Sequence, residues 1–321
     1  MNAKNSDFGT FGQDVVLGLS AQPKTLSSKY FYDAKGDKLF QAIMALPEYY
    51  LTRKEFEILE SQHEEILKPI LESGEPFNLV ELGAGDGLKT KILLRYLLAK
   101  NIDFTYYPID FSGSVLKELK ESLAEEMPDL KVHSIQNTYR GALQEKKWGN
   151  GKNSLILFLG SNLGNFQMKE AYEILDHLMI GTNHSDWVMI GFDLKKHPQT
   201  ILTAYDDTTG VTKAFNLNLL TRINRELDAD FDLNSFVHWP TYDPISGECR
   251  SYLVSTKKQK VHLAALNETF HFEAFESIFM EVSKKYSQEE IDVLAHRSGF
   301  KVIENFTDSE TYFADCLWQK N

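Results

Sequence analysis

Residues 78–89 read Asn78-Leu-Val-Glu-Leu-Gly-Ala-Gly-Asp-Gly-Leu-Lys89. The apolar stretch over residues 77–82 has the length and character of a buried strand. It runs into glycines at alternate positions, Gly83, Gly85 and Gly87, and a helical pattern follows over residues 89–98. Glycine lets a backbone turn sharply and lie flat against a ligand, because no side chain stands between them. Strand, glycine loop and helix in that order predict the first βα turn of a doubly wound sheet, where nucleotide-like ligands bind.

The glycine spacing separates two kinds of ligand. A dinucleotide fingerprint, G-x-G-x-x-G, places its third glycine five residues after the first. Counted from Gly83 that position is Leu88. The pattern present is instead E-x-G-x-G-x-G, from Glu81 to Gly87. That form is similar to the loop of S-adenosylmethionine (SAM) methyltransferases, in which the strand-end acid faces the amino-acid end of the cofactor. An NAD-linked oxidoreductase fits the same sheet and stays open as the alternative class.

Working outward, residues 104–109 form a second strand ending in Asp110. An acid there accepts from ribose hydroxyls in this architecture, at a spacing usually near 20 residues from the loop and somewhat longer here. A helix is expected over residues 113–126 and a third strand over 131–135. The continuous apolar run at 154–159 is a strand buried on both faces, as parallel sheets require. A loop, Gly160-Ser-Asn-Leu-Gly-Asn165, follows it, then a helix at 168–180 and a fifth strand at 186–193. Alternating strands and helices mean a parallel α/β sheet.

Upstream, residues 12–75 carry helical spacing around the proline-broken segment Leu46-Pro-Glu-Tyr-Tyr50, and Thr52-Arg-Lys-Glu55 has the form of a capping box. Downstream, the alternation stops. Residues 195–285 hold one helical stretch (199–226), Pro240, Pro244 and strand-like segments at 251–255, 262–266 and 269–275. Ser287 with Glu290 caps a further helix that ends at Gly299, and residues 301–306 and 312–319 form a strand pair about a turn at Asp308. A class I (Rossmann-like) α/β sheet domain over residues 61–195 and 286–321 is expected. A second, α+β substrate domain covers 12–60 and 196–285.

Composition bounds the function. The 321 residues carry a net charge of −12, with hydrophobic residues at 42% and charged residues at 25%. That is a globular average, and no Lys/Arg run supplies the basic face that nucleic acid requires. The two cysteines, Cys249 and Cys316, form no CxxC pair, which favours a reducing compartment. The polar stretch at residues 1–10 has no signal-peptide core, and no apolar run has membrane-spanning length. A cytoplasmic, monomeric enzyme with no membrane partner is expected. The nine histidines show no HxxxH or Cys/His spacing, so no metal is expected. Ser161 follows a strand but lacks the G-x-S-x-G elbow of a nucleophile. Asn165, in a loop at the carboxyl edge of the sheet, offers both a donor and an acceptor to a ligand.

Several blocks together resemble the histidine-specific SAM methyltransferase family that makes the trimethylated precursor of ergothioneine. They are Lys29-Tyr-Phe-Tyr-Asp33, Leu46-Pro-Glu-Tyr-Tyr-Leu-Thr-Arg53, Val80-Glu-Leu-Gly-Ala-Gly85 with Lys89, and Phe158-Leu-Gly-Ser-Asn-Leu-Gly-Asn165. They continue with Ala204-Tyr-Asp-Asp207, Asn224-Arg-Glu-Leu227 and Glu281-Val-Ser283. The resemblance implies SAM as cofactor, held by Gly83, Gly85, Lys89 and Asp110, with Asn137, Thr138 and Tyr139 beside the adenine. It implies a small-molecule amino-acid substrate whose α-amino and α-carboxylate groups meet Tyr49, Asn165 and Tyr205 at the reacting end, with Tyr32 lining the pocket. Glu281 and Ser283 would read the imidazole. Two departures are visible: Thr138 stands where the family carries an aspartate, and Ser251 where histidine-specific members carry a methionine. The implied reaction is α-N-methylation of L-histidine to N,N,N-trimethylhistidine (hercynine). A thiolated histidine ring nitrogen or an aromatic amino acid remains the alternative acceptor.

Overall fold

The computed structural model describes residues 9–149 and 151–321. Most of the polar stretch at residues 1–10 therefore lies outside the described residues. Two compact units are present: residues 51–195 with 284–321, and residues 1–50 with 196–283.

The first unit is a seven-stranded sheet with helices. Its strands are β1 (Phe77–Leu82), β2 (Phe104–Asp110), β3 (Ile135–Gln136), β4 (Asn153–Phe158), β5 (Trp187–Asp193), β6 (Phe300–Thr307) and β7 (Phe313–Lys320). Their order is β6-β7-β5-β4-β1-β2-β3. Pairs β1–β2, β1–β4, β2–β3 and β4–β5 are parallel, whereas β7 is antiparallel to both neighbours. The helices are α1 (Tyr50–Leu71), α2 (Thr90–Ala99), α3 (Gly113–Glu126), α4 (Tyr139–Glu145), α5 (Met168–Gly181) and α6 (Gln288–Arg297).

Every residue of β1 and β2 is buried, as strands covered on both faces must be. Val80, Leu82, Ile156 and Ile190 share one apolar cluster with Leu143 of α4, Leu175 of α5 and Leu294 of α6. The alternate residues Leu79, Leu155 and Met189 are buried outside that cluster, as are Ile58, Leu93 and Leu119 of α1–α3. This two-sided burial is the doubly wound architecture expected. Ser287 and Glu290 form the capping box of α6, and Gly299 follows its end with φ +81°.

Three expectations for this unit change. The third strand shrinks to Ile135–Gln136, and Val132 keeps only an isolated bridge to Tyr106. Helix α1 begins at Tyr50 and runs unbroken to Leu71, and it lies in the sheet unit from residue 51, not from 61. Thr52 and Glu55 thus fall inside its first turns and form no capping box. The Glu55 side chain is committed elsewhere.

The second unit holds helices Gly9–Ser20, Ala34–Met44, Pro198–Tyr205 and Val211–Leu227. A four-stranded sheet runs in the order Lys24–Thr25, Ser277–Lys284, Glu248–Ser255, Phe236–Asp243. Gln259–Leu263 and Glu268–Phe272 form a separate hairpin. Val15, Phe215, Leu219, Leu253, Phe272 and Ile278 belong to its core. The single helix expected over 199–226 is two helices. Asp207 forces the break by accepting from the Thr212 N–H at 2.7 Å, the Val211 N–H at 3.0 Å and the Thr209 hydroxyl at 2.5 Å. Strand Phe236–Asp243 was hidden by Pro240, which a sheet edge tolerates because one side needs no donor. The family-like blocks around Asp33 and Asn224 serve this architecture. Asp33 accepts from Gly36 N–H at 2.8 Å and from Asn218 at 2.9 Å, and pairs with Arg225 at 2.7 Å. Asn224 bonds both the N–H and the C=O of Phe231, each at 2.9 Å.

Among the described residues no helix is long and apolar enough to cross a membrane. Both cysteines are buried.

Candidate functional site

In the sheet unit the strand order reverses between β1 and β4, which opens the crevice where such folds bind ligands. The two loops that meet there are those singled out from the sequence. Gly83, Gly85 and Gly87 all have φ between +54° and +76°, a region that disfavours any side chain. A Cβ on Gly83 would stand 2.6 Å from the Tyr139 hydroxyl and 3.1 Å from Asn162 Nδ2. A Cβ on Gly87 would strike Leu119 of α3 at 2.6 Å, so the third glycine serves packing. Above Gly85 there is nothing within 4 Å. Bare backbone thus faces open space there, which is what a flat ligand needs.

Asp110, at the end of β2, stands next to that space. It accepts from the N–H groups of Gly85 at 3.2 Å and Ser112 at 2.9 Å. Burial raises its pKa, and those N–H donors work against the rise. Tyr139 packs edge-on against Phe158 at 5.0 Å, and burial raises its pKa also. Thr138, expected beside the adenine, stands at the N-cap of α4. Its hydroxyl accepts from Gly141 N–H at 3.2 Å and caps α4. Asn137 packs against Gly141, where a Cβ would lie 2.2 Å from its Oδ1.

Glu81 is held by side chains of the sheet unit. It is buried and accepts from the hydroxyls of Thr90, at 2.5 Å, and Tyr106. Burial pushes it up to about 7 despite those donors. Lys89 is half-buried and ion-pairs with the fully buried Glu55 of α1. Burial works against its ammonium, but the Glu55 carboxylate outweighs this and raises its pKa.

The loop after β4 is shaped by backbone demands. Gly160 has φ +75° and Ser161 +55°. The Ser161 hydroxyl accepts from Asp193 N–H at 3.1 Å, consistent with a structural serine. A Cβ on Gly164 would lie 2.7 Å from the Lys284 carbonyl. The fully buried Lys285–Asp193 ion pair, at 2.8 Å, fixes the chain where it re-enters the sheet. This leaves Asn162 and Asn165 as the loop's polar side chains. Asn165 is half-buried. Asn162, against Gly83, was missed by sequence reasoning; its only signal was its place between two positive-φ residues and a glycine.

In the second unit, Tyr32, Tyr49, Tyr205 and Ser283 form one aromatic and polar group. The Tyr205 hydroxyl donates to Ser283 Oγ at 2.8 Å. The Tyr49 ring meets the Tyr205 ring edge-on at 6.3 Å. Phe40 lies between Tyr49, at 6.4 Å, and Tyr32, at 5.6 Å. Tyr205 ends helix Pro198–Tyr205, so the Asp207 break sets its position. Glu281 and Ser283 are two residues apart on one strand, with Glu281 half-buried. Ser251 is buried, opposite Pro240 in the neighbouring strand.

Comparison with known proteins identifies the family. Residues 11–320 match the family described as histidine-specific methyltransferase, SAM-dependent. The chain is 35% identical over 296 residues to a histidine N-alpha-methyltransferase of Mycolicibacterium smegmatis, covering 92% of this chain and 90% of that protein. It is 34% identical over 308 residues to the protein of the same name from Mycobacterium tuberculosis, covering 96% and 94%. Ergothioneine biosynthesis protein 1 of Schizosaccharomyces pombe is 30% identical over 297 residues, covering 89% of this chain and 38% of that longer protein. The match spans the chain almost from end to end, and the chain belongs to the histidine-specific, SAM-dependent methyltransferase family.

Proposed function

We propose that this enzyme transfers methyl groups from SAM to the α-amino nitrogen of free L-histidine, in three rounds, giving N,N,N-trimethylhistidine (hercynine), the ergothioneine precursor. The observation that carries this reading is the near full-length match to two bacterial histidine N-alpha-methyltransferases. The sheet unit fits the donor: an open glycine backbone beside a carboxylate, with a lysine nearby. In the proposal Gly83, Gly85 and Asp110 cradle SAM with Tyr139. Thr138, already a helix cap, contributes there only through its backbone. Lys89 meets the one anionic group of SAM, its carboxylate. Tyr32, Tyr49, Asn165 and Tyr205 hold the amino acid's charged end. Glu281 and Ser283 hydrogen-bond the imidazole, and Ser251 leaves room behind the ring.

SAM supplies an electrophilic methyl carbon on a positively charged sulfur. The amine lone pair forms the N–C bond as the S–C pair passes to sulfur, so the leaving group is neutral and needs no acid. The chain's contribution is alignment and exclusion of water. Before each of the three transfers the amine must lose a proton, which passes to solvent. A carboxylate facing one ring N–H and a hydroxyl facing the other nitrogen favour histidine. An apolar side chain would leave both unpaired, at a cost of about 10⁴-fold or more in discrimination. The enzyme acts as a cytoplasmic monomer in this reading.

The test is mass spectrometry of each free amino acid incubated with the enzyme and SAM. Histidine gaining one, two and three methyl groups supports the reading. Histidine unchanged while tryptophan or tyrosine is methylated refutes it and favours the aromatic alternative.

A further inference from the structure

Glu55 is fully buried, yet it is spent on neither a helix cap nor a surface pair. Its Oε1 accepts the N–H of Gly160, at the end of β4, at 2.6 Å. Its Oε2 accepts from Lys89 Nζ, just after the glycine loop. The same carboxylate lies over Gly191 of β5, where a Cβ would stand 2.5 Å from Glu55 Oε1 and 3.1 Å from Asp315 Oδ1. One side chain from α1 thus touches the loops after β1 and β4 and the strand beside them.

Asp315, on β7, is also fully buried. Among the described residues neither of its oxygens receives a hydrogen bond from an N–H or from a hydroxyl. Its carboxyl stands beside that of Glu55 over Gly191. Two buried carboxyls side by side favour holding a proton on one of them, because both ionise only at high cost in a low-dielectric interior. Glu55 already receives the Lys89 ammonium and the Gly160 N–H, so the proton belongs to Asp315. Burial, and then the Glu55 charge, push Asp315 well above the ordinary carboxylate range. Glu81, on β1, is the remaining titratable group that acts on Lys89 and Glu55.

We propose that Glu55 is a positioning residue for the methyl donor: steadied by a protonated Asp315, it holds the Lys89 ammonium and the Gly160 peptide in register at the switch point of the sheet. This rests on the reading that Lys89 meets the donor. The network also keeps Lys89 charged. Without an anion, its burial favours the neutral amine, and affinity for the donor's carboxylate falls as pH rises through the lowered pKa. Glu55→Gln alone lets Asp315 ionise and take over as the anion. Glu55→Gln combined with Asp315→Asn removes the charge while the glutamine amide oxygen still accepts the Gly160 N–H.

The experiment is calorimetry of S-adenosylhomocysteine binding between pH 7.5 and 9.5, with unfolding midpoints alongside, for the wild type, the double variant, Asp315→Asn and Lys89→Met. All proteins share the ligand's own titration, so the variant-to-wild-type ratio of Kd is read. In the double variant that ratio is expected to climb at least tenfold across the range. For Asp315→Asn, which keeps the Glu55 anion, it stays flat. A flat ratio in a folded double variant, with Lys89→Met at least tenfold weakened, overturns the inference and leaves the Lys89 reading standing. If the double variant does not fold, Asp315→Asn decides: tenfold weaker binding, or a ratio that varies with pH, means Asp315 is ionised and the inference falls. Wild-type affinity in Lys89→Met removes the Lys89 reading and the inference with it.

Discussion

Gly85→Ala isolates the donor site from the fold, and Gly74→Ala is its control. Gly85 has φ +54° and Gly74 has φ +66°, and an added Cβ at either meets nothing within 4 Å of protein. Both alanines therefore carry the same intrinsic cost of left-handed backbone, about 1–2 kcal/mol. Both should lower the unfolding midpoint by a few degrees, since about 1 kcal/mol shifts a domain of this size by roughly 2–4 °C. Their effects on binding diverge. Gly74 is exposed beyond the end of α1, while Gly85 donates its N–H to Asp110 at 3.2 Å beside the proposed ligand space. A methyl group inserted between backbone and ligand costs about 1–3 kcal/mol by overpacking, or roughly 5- to 150-fold in affinity. Calorimetry with S-adenosylhomocysteine, in parallel with thermal melts, measures both quantities. If Gly85→Ala bound that ligand within twofold of Gly74→Ala, the open space over Gly85 would not be the donor site.

Three further outcomes are expected. Tyr205→Phe removes the 2.8 Å bond to Ser283 and should raise the KM for histidine about fivefold, on the order of 1 kcal/mol, while S-adenosylhomocysteine affinity stays as in the wild type; an unchanged KM would count against Tyr205 as a substrate residue. Glu81 titrates at about 7 in the folded chain against 4.5 ordinarily, so it binds its proton more tightly when folded, and stability is lost as pH rises from 4.5 to 7. Glu81→Gln removes that term, worth roughly 3 kcal/mol at most, so its melting midpoint should gain on the wild type by several degrees across that window, and a constant gap would refute it. Asn224→Ala loses both bonds to Phe231 and should cost about 1–3 kcal/mol in chemical denaturation without altering S-adenosylhomocysteine affinity; full stability would remove its structural role.

The sheet was legible because two-sided burial writes itself as apolar stretches at 77–82 and 154–159, and because the glycine loop needs positive φ that other residues resist. The misreadings came from side chains whose partners are far away in sequence. Glu55 fitted a capping box on spacing, yet its partners are Lys89 and Gly160. Asp207 looked like one more acid on a helical face, but it accepts from the next helix's first N–H groups and splits the stretch in two. Pro240 argued against a strand that only its edge position permits. In the site, Asn162 was overlooked because an asparagine in a glycine-rich loop carries no sequence period; only the close approach to Gly83 marks it.

The placement of β7 between β5 and β6 has a consequence for synthesis. Residues 313–320 leave the ribosome last among the strands, yet they fill a gap in the middle of a neighbourhood and not its rim. Until they arrive, the N–H and C=O groups along one side of β5 have no mate, and the nascent protein carries an open flank of the kind that recruits stray chains. A stalled or prematurely terminated product ending before residue 313 should therefore clump, while the finished polypeptide zips this strand in and seals the flank.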